Sequence, residues 1–174
     1  SWGEIRRVAK HLGELIDASG AGAGAKVAFV ARNRPSALAA LLGLLAQRCS
    51  VRMVYPFQSA AALASDLERI APALVVADGE DYSDAVVTIL QSCGAAGIAL
   101  REMDASAVAA CARTRPPENS NSPLQIEVLT SGTTGPPKPF ALSYASVAQH
   151  IIATGTLPAN ANAEYAALAP TLLM

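Results

Sequence analysis

Short apolar runs that favour β-strands alternate with segments that have the periodicity of helices. The strand-like runs are residues 26–31, 50–54, 73–77 and 97–100. Helical patterns surround them at residues 1–19, 36–47, 59–70 and 82–92. Parallel strands need crossover helices and are buried on both faces, so this order predicts βαβ units. The predicted fold class is therefore α/β, with a mostly parallel sheet flanked by helices.

The first helical segment is amphipathic and carries its own start signal. Ser1 and Glu4 have the spacing of a capping box, in which each side chain bonds a free backbone N–H of the first turn. Trp2 lies on the apolar face of this helix, and we expect it to be a packing residue. His11 lies on the same helix, and we expect solvent exposure for it.

A polar segment divides the chain into two parts. Residues 113–123 (RTRPPENSNSP) contain two adjacent prolines and read as a linker. Residues 1–112 form the predicted α/β subdomain. Residues 124–174 are predicted to begin a second, incomplete subdomain, with a strand at 124–129, a loop, a returning strand at 140–142 and a helix at 143–154. A further strand is predicted at 165–169, and both chain ends suggest a fragment of a longer protein.

Composition and charge argue against several classes of protein. Lys and Arg number 13 and Asp and Glu 14, a formal net charge of −1, so no basic excess favours nucleic acid or an anionic membrane. The longest apolar run, residues 37–46, is too short to cross a bilayer, and no signal peptide is visible. The chain has an odd number of cysteines, and they are widely spaced: Cys49, Cys93 and Cys111. This pattern predicts free thiols in a reducing, cytoplasmic compartment. A homodimer remains an open alternative for the oligomeric state.

The most informative segment is residues 129–138 (LTSGTTGPPK). It offers close backbone approach at two glycines, hydroxyl donors and one lysine cation, and this combination suits a polyphosphate. The predicted phosphate-binding residues are Thr130, Ser131, Gly132, Thr133, Thr134, Gly135 and Lys138.

Two familiar phosphate motifs do not fit this loop. A Walker A loop needs lysine directly after its second glycine, whereas Lys138 lies three positions after Gly135 and is followed by Pro139. The dinucleotide pattern GxGxxG is also absent, because Gly22 and Gly24 precede a strand instead of following one.

The segment Thr130-Ser-Gly-Thr-Thr-Gly-x-Pro-Lys138 resembles the phosphate-binding signature of the adenylate-forming superfamily, which includes acyl-CoA and aryl-CoA synthetases, peptide-synthetase adenylation domains and beetle luciferases. Weaker resemblances extend over nearly the whole chain, including Asn33-x-Pro35 before an apolar helix. One departure is Pro139, where the family usually has glycine. Because proline fixes φ and lacks an N–H, this side of the loop should be stiffer.

The resemblance implies an enzyme that joins a carboxylic acid to ATP and then passes the acyl group to a thiol, usually that of coenzyme A. It implies ATP, Mg²⁺ and CoA as cofactors, and residues 130–135 with Lys138 as ligands of the ATP phosphates. The family's adenine, ribose and catalytic-lysine motifs are expected beyond residue 174. We therefore expect the chain alone to lack adenylating activity.

Several alternatives stay open. The chain also fits an adenylation module of a peptide or polyketide assembly line, or a non-catalytic nucleotide-binding relative. Fatty, aryl and small acids all remain candidate substrates, so a role in fatty acid metabolism is one option. An acidic cluster, Asp78, Glu80, Asp81 and Asp84, is interpreted as a solvated loop and helix start, and no metal ligand is predicted.

Overall fold

The computed structural model describes residues 1–114, 124–130, 138–147 and 149. Helices and strands alternate along the chain as the periodicity predicts. In chain order the elements are α1 (Trp2–Ala18), β1 (Lys26–Val30), α2 (Pro35–Ala46), β2 (Ser50–Val54), α3 (Ala60–Ile70), β3 (Leu74–Asp78), α4 (Asp84–Cys93), β4 (Ala96–Arg101), β5 (Asp104–Ala107), β6 (Gln125–Thr130), β7 (Lys138–Ser143) and α5 (Tyr144–Val147).

The strands form one seven-stranded sheet within the described part of the chain, in the order β5-β4-β3-β1-β2-β6-β7. The five strands β1, β2, β3, β4 and β6 are parallel to one another. The two edge strands are antiparallel to their neighbours, β5 to β4 and β7 to β6. The predicted α/β class with a mostly parallel sheet is therefore confirmed.

Each face of the sheet is covered by a different pair of helices. On one face, α1 and α2 pack around Phe29 of β1, together with Leu12 and Leu44. On the other face, α3 and α4 cover residues such as Val30, and Leu67 is fully buried there. Burial on both sides explains why the central strands are apolar at successive positions instead of alternating.

Local capping sets several of the helix ends. The capping box of α1 is present, with the Glu4 amide donating to Ser1 Oγ and the Glu4 carboxylate bonding the N-terminal amine. Ser59 and Ser83 accept bonds from the first turns of α3 and α4. Gly94 ends α4 with φ of 64°, a conformation that glycine adopts without steric cost.

Some local expectations were wrong. Trp2 is 76% exposed, because the beginning of α1 is largely uncovered and burial along this helix starts only at Val8. Strand β5 was not predicted, because its sequence DASA is short and weakly apolar and is a strand only by pairing with β4. The strand predicted at residues 165–169 and most of the second half of the helix predicted at 143–154 lie outside the described residues.

Strands β6 and β7 continue the same sheet as β1–β5, with β6 lying beside β2. The division into subdomains at residues 113–123 stays a prediction. Among the residues that the structure describes, no helix combines the length and apolarity needed to cross a membrane.

Candidate functional site

The carboxyl ends of the five parallel strands meet at one edge of the sheet, which we call the carboxyl edge. Ligands of open α/β sheets bind outside this edge, because the loops that leave the strands converge there. Thr130, the first residue of the predicted phosphate loop, is the last residue of β6 and lies at this edge. The fold thus places the beginning of the loop where a ligand site is expected.

The β6–β7 hairpin brings the two ends of the predicted loop together. Thr130 and Lys138 are register partners in the antiparallel pair, and the Lys138 side chain is exposed. Of the predicted phosphate-binding residues, Ser131, Gly132, Thr133, Thr134 and Gly135 lie outside the described residues. Their roles stay predictions, as does that of Lys138.

Pro139 lies in β7, an edge strand, opposite Leu129. The Tyr144 amide donates to the Leu124 carbonyl at 3.1 Å, which makes that pair a hydrogen-bonded one. Hydrogen-bonded and non-bonded pairs alternate along an antiparallel ladder, so the Leu129–Pro139 pair is non-bonded. The missing N–H of Pro139 therefore costs the hairpin no ladder bond, and proline is tolerated beside Lys138.

A charge pair joins the hairpin to the parallel part of the sheet. Arg52 of β2 and Glu127 of β6 are register partners, and the Arg52 Nε atom donates to Glu127 Oε2 at 2.5 Å. Sequence reasoning missed this pair. A usable signal was present, since opposite charges stand in the middle of two runs that were predicted to be strands.

A second set of charges lies at the carboxyl edge near β1 and β3. Arg32, just after β1, is held by Asp81 through Nη2–Oδ1 and Nε–Oδ2 contacts of 2.6 and 3.4 Å. Arg34 contacts Asp78 at 2.8 Å and Glu80 at 3.2 Å. Asp78 and Asp81 are only 3% and 8% exposed, so the interpretation of the acidic cluster as a solvated loop was wrong for these two residues. Their arginine partners, distant in sequence, compensate the buried charge.

The electrostatics of this cluster follow from burial and pairing. The hydrogen bond to Asp81 raises the pKa of Arg32, so this guanidinium stays charged. Burial raises the pKa of Asp78, and the nearby Arg34 and Arg32 partly offset that rise. The cluster borders an open cleft of about 320 Å³, lined by Arg34, Asp78, Gly79, Glu80, Leu100 and Arg101.

The cleft lies beside β3, away from β6, the strand that leads into the predicted phosphate loop. Strand β3 lies three strand positions from β6, which corresponds to about 14 Å at the usual interstrand spacing. No group of three or more His, Cys, Asp or Glu side chains within the described ranges is placed to hold a metal ion. The ion pairs of the cluster join the segment after β1 to the segment after β3.

His11 and Tyr144 each contact a backbone carbonyl oxygen. His11 is partly exposed, and its Nε2 atom lies 3.1 Å from the Ala105 carbonyl oxygen of β5. The Tyr144 hydroxyl donates to the Cys49 carbonyl oxygen, just before β2. All three cysteines are free thiols as predicted, with Cys49 and Cys111 buried and Cys93 partly exposed.

A mostly parallel sheet covered by helices on both faces, with Thr130 at the carboxyl edge, defines an α/β protein whose sheet geometry suits a nucleotide-binding site. Residues 1–172 match the family model described as AMP-binding enzyme, and the chain belongs to that family. No curated protein shows significant sequence similarity to the chain.

Several solved structures share the fold of this chain. ATP-bound MatB from Rhodopseudomonas palustris matches with a TM-score of 0.65 and 21% identity, over 88% of this chain and 32% of MatB. CmiS6 matches with a TM-score of 0.65 and 19% identity, over 90% of this chain and 36% of CmiS6. VinN, solved with 3-methylaspartate, matches with a TM-score of 0.54 and 19% identity, over 88% of this chain and 44% of VinN. At these identities the likeness concerns the fold, and the chain spans only 32–44% of the length of these proteins.

Proposed function

We propose that the protein to which this chain belongs is a cytoplasmic ligase that activates a carboxylic acid with ATP and then transfers the acyl group to coenzyme A. A carboxylate oxygen attacks the α-phosphorus of ATP, the bond to the β-phosphate breaks, and pyrophosphate leaves. The thiol of the acceptor then displaces AMP from the acyl-adenylate.

The observation that carries this proposal is the nine-residue segment from Thr130 to Lys138, which leaves β6 at the carboxyl edge with its two ends paired. Family membership supports it, and ATP is present in three structures of similar fold. In the proposal the hydroxyl groups and backbone amides of residues 130–135 bind the β- and γ-phosphates, while Lys138 compensates their charge.

Charge is the central difficulty of this reaction, because an anionic acid must approach an anionic triphosphate. Donors placed in advance around the phosphates lower that barrier without reorganisation. Mg²⁺ enters the proposal as the counter-ion that accompanies ATP and neutralises phosphate charge.

The first experiment is ATP–pyrophosphate exchange by the full-length protein over a panel of fatty, aryl and small acids. A Thr133→Val, Thr134→Val double variant removes two hydroxyls with little change of shape. If those hydroxyls stabilise phosphate charge, kcat/KM for ATP should fall by about 10²-fold or more. Thr88→Val makes the same change at an exposed position on α4 and should leave exchange unchanged.

The same assay tests the role of Lys138 with the variant Lys138→Met. The control is Lys10→Met, at an exposed position of α1. Full-length protein without affinity for ATP, or threonine variants with wild-type turnover, would contradict the proposal. A chain limited to residues 1–174 is expected to form no acyl-adenylate.

The acyl acceptor is tested by a second assay, in which CoA and the phosphopantetheine arm of a carrier protein are offered to the preformed adenylate. Thioester formation with free CoA supports the synthetase. Transfer to the carrier protein alone would identify an assembly-line adenylation module instead.

A further inference from the structure

The hairpin that carries the predicted phosphate loop is attached to the sheet by a short ladder. Strand β6 reaches the parallel strands through β2, and their described register pairs are Val51–Ile126 and Arg52–Glu127. By comparison, β1 and β2 pair at five positions. Side-chain contacts between the hairpin and β2 are therefore important for the position of the hairpin relative to the sheet.

The first such contact is the charge pair between Arg52 and Glu127. Two nitrogens of the Arg52 guanidinium contact the same carboxylate oxygen of Glu127. The other carboxylate oxygen accepts a 2.6 Å bond from Gln125 Nε2. The side chains of Arg52 and Glu127 are only 27% and 21% exposed, so solvent screens the pair less than a surface salt bridge. Both oxygens of Glu127 are occupied, which fixes its conformation against β2.

The second contact lies at the other end of the hairpin. Tyr144 directly follows β7, and its half-buried hydroxyl donates to the backbone carbonyl of Cys49, which directly precedes β2. Burial raises the pKa of Tyr144, so the phenol keeps its proton and remains a donor at neutral pH. The Tyr144 amide also bonds the Leu124 carbonyl, just before β6. One residue thus joins both hairpin strands to the start of β2.

We propose that Arg52, Glu127 and Tyr144 are positioning residues that set the β6–β7 hairpin against β2 and thereby place the phosphate loop for ATP. The inference rests on the proposed function. Glu127 lies three residues before Thr130, about 10 Å along the strand. Arg52 therefore has a second effect, because it neutralises a carboxylate that would otherwise repel the phosphates.

The test measures KM for ATP, KM for the acid and kcat in the full-length protein. Arg52→Ala should raise KM for ATP about tenfold, the loss expected for one charged hydrogen bond, with KM for the acid unchanged. The double variant Arg52→Glu, Glu127→Arg restores the pair in reverse and should bring KM for ATP back to within about threefold of wild type. Arg69→Ala is the matched control, since it breaks an exposed pair with Asp66 on α3.

Tyr144→Phe removes only the hydroxyl and should raise KM for ATP about fivefold, as expected for one neutral hydrogen bond. Tyr55→Phe makes the same change at a side chain that is 57% exposed and should have no effect. Thermal unfolding of each variant separates positioning from a general loss of folding.

Two outcomes would overturn the inference alone. One is unchanged KM for ATP in Arg52→Ala and Tyr144→Phe, in a protein whose exchange still depends on Thr133 and Thr134. The other is a lower unfolding temperature in these variants with no selective effect on ATP. Absence of ATP-dependent exchange in the wild type would overturn both this inference and the proposed function.

Discussion

Arg32 and Asp81 form a largely buried charge pair at the carboxyl edge. Their side chains are 19% and 6% exposed, and two contacts join them. Removing one partner of such a pair leaves the other charge in a poorly solvated position, which costs more than the pair itself contributes. Replacing either Arg32 or Asp81 alone should therefore destabilise the folded state.

We expect Asp81→Asn to lower the free energy of unfolding by about 2–4 kcal/mol, because Arg32 loses its principal partner. Glu80→Gln is the matched control, since Glu80 contacts the same arginine from a side chain that is 55% exposed, and should cost less than about 1 kcal/mol. Urea unfolding measures both. Equal losses in the two variants would contradict the role assigned to burial.

The three cysteines differ in what burial does to their thiols. Burial raises the pKa of Cys49 to about 12, from an ordinary value of 9.0, and that of Cys111 also rises. Only the thiolate alkylates. In native protein at pH 8, iodoacetamide should modify Cys93 first and leave Cys49 and Cys111 protected, as peptide mass spectrometry would show.

The raised pKa of Cys49 also affects the stability of the folded state. Between pH 9 and about 12 the folded state keeps the Cys49 proton that the unfolded chain releases. The free energy of unfolding should therefore fall as the pH rises through this range. Modification of Cys49 at pH 8 as fast as Cys93 would show that its burial is not maintained.

At the scale of elements, the packing of α1 on α2 depends on a glycine. A Cβ atom at Gly43 would lie 2.8 Å from the Ala9 carbonyl oxygen and 3.0 Å from Leu12 Cδ2. The first of these contacts is with backbone, so relief requires the two helices to separate. Gly43 therefore sets the distance at which the two helices cover their face of the sheet.

Gly43→Ala should lower the free energy of unfolding by about 1–2 kcal/mol, because overpacking outweighs the gain in helix propensity. Gly22→Ala is the control, since nothing lies within 4 Å of its added Cβ, and it should change stability by less than about 0.5 kcal/mol. Thermal unfolding followed by circular dichroism compares the two. A stabilised Gly43→Ala protein would mean that α1 and α2 are less closely packed.

At the scale of the whole molecule, ligand binding should be visible as stability. A ligand that binds only the folded state stabilises it by about 2.7 kcal/mol at a concentration one hundred times its dissociation constant. ATP should therefore raise the unfolding temperature of the full-length protein. The Thr133→Val, Thr134→Val variant should lose this shift while keeping its ligand-free unfolding temperature, as differential scanning fluorimetry would show.

If ATP raised the unfolding temperature of the variant as much as that of the wild type, the phosphates would bind elsewhere. The cleft beside Arg34 and Arg101 would then be the next region to probe. Whether the full-length protein forms a homodimer is a separate question at this scale, and light scattering addresses it.

Features that depend on neighbouring residues were accessible from the amino-acid order alone. Strands β1 to β4 are short apolar runs, the capping box of α1 is a spacing of three residues, and the phosphate-loop signature is contiguous. Each is encoded within about a dozen positions, so periodicity and motif are sufficient to recognise it.

Features that pair distant residues became visible only in the folded chain. Three such features join residues that lie between 49 and 95 positions apart in the sequence. They are the pairing of β6 with β2, the ion pair of Arg32 with Asp81, and the bond from Tyr144 to Cys49. Strand β5 is likewise a strand only because β4 lies next to it. Local propensity carries no information about which segments will meet, because that choice follows from burying both faces of the sheet at once.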